Sequence, residues 1–97
     1  MQFVLTAHDR PDGLPLRLDT RPAHLDYLRS IAAHLVFAGP MLDEAGKPCG
    51  SVIVYEAEDR AAAEKLVADD PYSHAGLFAS VELRGFRLVV KDGVMAG

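Results

Sequence analysis

The apolar positions fall into short strand-like runs and two helical stripes. Phe3 to Ala7 is apolar at nearly every position and reads as a buried strand. Asp9 to Asp19, rich in Pro, Gly, Asp and Arg, reads as a loop. Stepping on from His24 at helical spacing gives Leu28, Ile31 and Leu35. That stripe predicts a helix to about Leu35, capped by Asp19 or Thr20, with Pro22 in its first turn. Val36-Phe37-Ala38 is a short strand ending at Gly39-Pro40. Asp43 to Gly50 carries Gly46, Pro48 and Gly50 and predicts a hairpin loop. Ser51 to Tyr55, apolar and rich in β-branched residues, is the next strand. Glu58 or Asp59 opens a second helix through Ala61, Ala62, Ala63, Leu66 and Val67. Pro71 ends it by forcing Asp70 out of helical geometry. Phe78 to Val90 reads as one long strand, interrupted near Gly85 by a bulge or bend.

The resulting order, β-α-β-β-α-β, is the ferredoxin-like α+β arrangement: a four-stranded antiparallel sheet with two helices on one face. A sheet covered on one side should alternate apolar with polar residues. Here Phe3, Val4 and Leu5, and again Val52 to Tyr55, offer apolar groups to both faces. Something therefore covers the second face. A second copy packed sheet to sheet, a homodimer, is the expected cover; the alternative is that the final strand folds back over the sheet.

Composition narrows the function classes. Residues 1–97 make one domain, and a hydrophobic share of 49% supplies a packed core. A net charge of -4 argues against a nucleic-acid partner. No run approaches the ~20 apolar residues of a membrane span. No basic region precedes the first apolar run, which argues against a signal peptide. Cys49 is the only cysteine, so no internal disulfide forms and the cytoplasm is the expected compartment.

Three features carry candidate chemistry. His24 is a titratable group on the edge of a buried stripe and needs a polar partner. Asp70 projects from the loop before Pro71 and can meet it in this fold. A carboxylate on one ring nitrogen fixes the tautomer and leaves the other nitrogen as a base. At a helix start the dipole would disfavour imidazolium while the carboxylate favours it. The alternative is a histidine that only caps its helix. Arg10, Arg17 and Arg21 form the second feature, an anion site beside a helix N-terminus. Asp9, Asp12 and Asp19 lie among them, so a solvated loop of self-paired charges fits equally. The third is Asp69-Asp70-Pro71-Tyr72, which presents a carboxylate and a phenol together. As a helix stop it explains Pro71 and Gly76, but not the doubled aspartate. His8, His24, His34 and His74 lack paired ligand spacing, so no metal is expected. Ser51 lacks a nucleophile-elbow context, and Cys49 lacks a neighbouring histidine. No cofactor is expected.

Several of these segments match a known pattern in order and spacing. They are the opening strand ending in Ala7-His8-Asp9, then Arg21-Pro22-Ala23-His24-Leu25-Asp26-Tyr27-Leu28, and Ala38-Gly39-Pro40. Gly50-Ser51 follows, then Asp70-Pro71-Tyr72 with Ala75-Gly76-Leu77-Phe78. In these pieces the chain resembles the YCII family, the YciI-like proteins, over almost its whole length. The resemblance implies a dimeric α+β barrel, two ferredoxin-like chains packed through their sheets. It also implies a cleft with a His-Asp pair, His24 matching the histidine and Asp70 the aspartate. Most members have no known reaction, and the activity assigned in the family is of the elimination, or lyase, type.

The expected function is a small cytoplasmic enzyme that transfers a proton on a small anionic or cyclic substrate by elimination or isomerisation. His24 is the expected base and Asp70 its orienting partner. Arg21 or Arg17 would hold the substrate's charge, and Tyr72 and Ser51 would line the cleft. Asp9, Gly39 and Pro40 complete the expected substrate-binding set. The rival is a non-catalytic module that binds a small metabolite or dimerises.

Overall fold

A computed structural model describes residues 1–96. Four strands form one antiparallel sheet: β1 (Gln2–Asp9), β2 (Leu35–Leu42), β3 (Pro48–Glu56) and β4 (Phe78–Phe86), in the order β2-β3-β1-β4. Helices α1 (Leu14–Ser30) and α2 (Arg60–Ala68) make the two crossovers, and a one-turn helix α3 (Pro71–His74) leads into β4. This is the expected ferredoxin-like α+β fold.

Register decides which residues meet the helices. Phe3 lies opposite Tyr55, Leu5 opposite Ile53 and Ala7 opposite Ser51. Opposed residues share a face, and this row is buried. Leu5, Ala7, Ile53 and Tyr55 form the core with Leu28, Ile31, Leu35, Leu66 and Val67 packed on them. The predicted stripe of His24, Leu28, Ile31 and Leu35 thus faces inward, with Leu35 delivered by β2. Burying each large aliphatic side chain contributes ~1.5–3 kcal/mol.

The other face carries Val4, Thr6, Val52 and Val54. Val54 is 0% exposed there. Phe37 and Phe86 meet edge to face at 6.4 Å, although their strands are the two outer ones, about 14 Å apart. Their rings therefore lean inward over the middle of the sheet.

Several boundaries differ from expectation. α1 begins at Leu14, inside the segment read as a loop. Gly13 is its N-cap, in a turn where its N–H donates to Arg10 O at 3.0 Å. A Cβ at Gly13 would stand 2.9 Å from that same oxygen, so the close turn requires glycine. Pro15 occupies the first turn, where a missing N–H costs nothing. Gly13 and Pro15 were thus start signals, and neither Asp19 nor Thr20 is the cap. Pro22 lies inside the helix on its exposed side. α1 stops at Ser30, and a 3₁₀ turn at Ala32–His34 reaches β2. The β2–β3 loop is shorter than predicted, because Asp43 accepts from the N–H groups of Ala45 and Lys47, both at 2.9 Å. Cys49 consequently sits in β3.

The strand expected to run from Phe78 to Val90 ends at Phe86. Gly85 pairs in register with Phe3, and the irregularity on this edge lies between His8 and Asp9. Beyond it, β5 (Val90–Lys91) and β6 (Val94–Met95) form a separate hairpin. Its turn residues Asp92 and Gly93 have φ of 53° and 76°, the left-handed pair that Asp-Gly favours. Val90, Val94 and Met95 stay exposed, so this hairpin does not bury its own apolar side chains on the sheet.

Candidate functional site

The site is built around Asp70. Pro71 holds Asp70 extended, at φ -65° and ψ 131°, which makes it the N-cap of α3. Its Oδ1 accepts the Tyr72 N–H at 2.9 Å and pairs with His24 Nδ1 at 2.8 Å. Both side chains of this pair are buried. The carboxylate therefore binds the proton-bearing Nδ1, and Nε2 keeps the free lone pair.

His24 lies ten residues past the start of α1 at Leu14. The field of a helix end fades within about one turn, so the expected influence of the N-terminus on this ring does not operate. Packing orients it instead. The Tyr72 ring stacks on the imidazole at 3.9 Å between centroids and 17° between planes. Phe78 in turn meets Tyr72 edge-on at 6.0 Å.

Arg17 is the second anchor. Starting α1 at Leu14 puts Arg17, Arg21, His24 and Leu28 at spacings of four, three and four, on one helix face. Arg17 donates through Nε and Nη2 to the two carboxylate oxygens of Asp9, at 2.7 and 2.9 Å. Nη2 also donates to Ser51 Oγ at 2.8 Å, and the guanidinium carbon lies 4.7 Å over the Tyr72 ring. Burial works against the charge of Arg17, but Asp9 and, after it, Tyr72 together hold the guanidinium above its ordinary pKa. Burial pushes the Tyr72 phenol up as well, against the pull of Arg17 and Arg21, so it is a protonated donor at neutral pH.

These groups border a cavity of about 270 Å³. From α1 it is lined by Arg17, Leu18, Arg21, His24, Leu25 and Leu28. Ala38, Gly39 and Pro40 of β2 close one side, Pro48, Ser51 and Ile53 of β3 form the floor, and Tyr72 completes the wall. Seven of the nine expected site residues line it: His24, Arg17, Arg21, Gly39, Pro40, Ser51 and Tyr72. The other two stand just behind, Asp70 against His24 and Asp9 against Arg17. Arg17, Arg21 and His24 come from the body of α1, so the anion site expected at a helix N-terminus is not what gathers the arginines. Arg10 is exposed and does not line the cavity. Arg21 makes no hydrogen bond or ion pair among the described residues and is the cation left over in the wall. The apolar lining of Leu18, Leu25 and Ile53 was not anticipated. Leu18 fell in the segment read as a loop, and stepping back seven residues, two helical turns, from Leu25 would have placed it.

The chain matches the YCII-related domain model over residues 1–87. It is 35% identical to Protein YciI of Escherichia coli O6:H1, over 92% of this chain and 99% of the relative. An uncharacterized protein of Haemophilus influenzae is 37% identical over the same shares. Among solved structures it is similar to the 5-chloro-2-hydroxyhydroquinone dehydrochlorinase of Burkholderia phenoliruptrix, determined in complex with 2,5-dihydroxybenzoquinone. That match has a TM-score of 0.83 and 33% identity, covering 90% of this chain and 94% of the other. An antibiotic biosynthesis monooxygenase, at 15% identity and a TM-score of 0.53, shares the fold.

Proposed function

Because the chain belongs to the YCII-related family, we propose that it is a small cytoplasmic enzyme that removes a proton from a small, oxygenated, cyclic anion. The observation that carries this reading is the buried His24–Asp70 pair at 2.8 Å, opening on an apolar cavity whose one unpaired cation is Arg21. His24 Nε2 takes the proton of a ring hydroxyl from the substrate's keto tautomer. The O–H electron pair becomes a C=O bond, the neighbouring ring double bond shifts by one position, and the leaving group departs from the saturated ring carbon with its own electrons as an anion. The imidazolium that results stays paired with Asp70. Arg21 meets the substrate's negative oxygen, and Tyr72 donates a hydrogen bond to it. Arg17 and Asp9, saturated by each other, act as positioning residues. This balance needs no cofactor. The structural neighbour named as a dehydrochlorinase supports the elimination type and the ring.

General base catalysis contributes ~10²–10⁴-fold. The test uses 5-chloro-2-hydroxyhydroquinone and related hydroxylated rings as probes, following halide release and quinone absorbance. His24→Ala should lower turnover by that factor, and Asp70→Asn by a smaller one. Equal turnover in the parent and both variants ends the catalytic reading.

A binding module is the second reading, favoured by the way Asp70 ties α1 to α3. On that reading the probes bind and are displaced unchanged, and His24→Ala lowers affinity with no product formed by any variant.

A further inference from the structure

Two buried side-chain oxygens have no hydrogen-bond partner among the described residues: Asp70 Oδ2 and the Tyr55 hydroxyl. Asp70 is 1% exposed and Tyr55 0%. Leaving either group unpaired in the core is unfavourable, because its hydration is lost with nothing in exchange. Their chemistry is complementary, since a phenol donates and a carboxylate oxygen accepts. The fold also aims them at one region. Tyr55 rises from the helix-facing row of β3, between Phe3 and Leu35, beneath the packed side chains of Leu66 and Val67. Asp70 follows the end of α2 directly. Tyr27 reaches the same place from α1, donating to Leu66 O at 2.6 Å. Charge coupling agrees with this placement. Burial first, and then Asp70, hold the Tyr55 phenol above its ordinary pKa, and burial with Asp69 and Asp70 raises Tyr27 to about 12.

We propose that Tyr55 is a positioning residue of the His24–Asp70 pair: its hydroxyl donates to one internal water, and that water donates to Asp70 Oδ2 and to the Tyr27 hydroxyl oxygen. A buried water needs two to four polar partners, and these three oxygens provide them. Asp70 Oδ1 is already occupied by His24 and the Tyr72 N–H. With only that oxygen held, the carboxylate can rock about its Cβ–Cγ bond. A second bond on Oδ2 fixes its plane, and with it the direction of the bond to Nδ1. Tyr55 thereby controls the imidazole from the far side of the core without touching substrate. This link rests on reading the pair as the working site, but its test needs no turnover.

Tyr55→Phe removes one oxygen and keeps the ring. In NMR spectra the His24 Nδ1–H resonance should shift and exchange with water about tenfold faster, the loss of roughly one hydrogen bond. Asp70→Asn should move the Tyr55 hydroxyl proton, which is expected as a slowly exchanging signal in the parent protein. That second measurement holds even if Tyr55→Phe does not fold. A purely structural tyrosine would lower stability and leave the His24 ring proton where it was. A folded Tyr55→Phe protein with an unaltered His24 Nδ1–H signal overturns the proposal, as does a Tyr55 hydroxyl proton indifferent to Asp70→Asn. Loss of catalysis with the link intact would count only against the enzymatic reading.

Discussion

Asp70 does two jobs with one oxygen, and the two can be separated by substitution. It caps α3 through the Tyr72 N–H and holds His24 Nδ1. Asp70→Ala leaves both of those donors buried without an acceptor. A lost cap costs ~1 kcal/mol and an unsatisfied buried donor ~1–3 kcal/mol. The expected destabilisation in urea titration is therefore about 3 kcal/mol, a large share of the ~5–15 kcal/mol that holds a small domain together. Asparagine caps as well as aspartate does and still accepts from Nδ1, so Asp70→Asn should cost only about 1 kcal/mol. Equal losses in the two variants would show that the charge, rather than the hydrogen-bonding oxygen, stabilises this corner.

Three elements are joined by Arg17: β1 through Asp9, β3 through Ser51, and α1 on which it sits. Removing one partner of such a buried pair strands the other charge. Arg17→Met should cost ~3–5 kcal/mol in thermal or urea unfolding, more than the loss of its packing alone. The double variant Asp9→Leu with Arg17→Met should recover most of that, because no charge is then left in the core. Additive losses in the cycle would sink this account. The same junction shows how far the sequence can be read. The element order and the inward stripe of Leu28 and Ile31 were legible, because they rest on periodicity; the residues alone offered Asp70 only as a candidate partner for His24, and the resemblance to the YCII family is what singled it out. The start of α1 was not legible. Gly13 and Pro15 obey helix-start chemistry, but amid Asp9, Arg10, Pro11 and Asp12 they look like loop. That one boundary decides whether Arg17 is a mobile loop cation or a buried cross-brace. The C-terminal hairpin was missed for a different reason: Asp92-Gly93 marks it, yet strands of two residues carry almost no periodic signal.

At the scale of the whole molecule the question is what lies on the second face of the sheet. Phe37 is 48% exposed and Phe86 37%, and both lean over a Val54 that is wholly buried. An exposed aromatic pair over an apolar row is unusual for a face that meets only water. The flanking positions on β4 carry Glu82 and Arg84, paired at 2.9 Å. An apolar centre with a charged margin is the build of a protein interface. A two-fold partner needs no second surface, since the same face serves both copies, and a stable contact requires ~1,200–2,000 Å² in total. The expected state is a homodimer through this face. Sedimentation velocity at tens of micromolar should give twice the chain mass, and the unfolding midpoint should rise with protein concentration. Phe37→Asp with Phe86→Asp should yield a monomer whose midpoint no longer depends on concentration. Val81 offers the control, because it is equally exposed but pairs with Ala7 on the helix-facing side. Val81→Asp should leave association as it was. A monomeric parent protein, or a dimer that survives the Phe37 and Phe86 changes, would mean that the apolar groups of Val4, Val52 and Val54 are covered by the two phenylalanines alone.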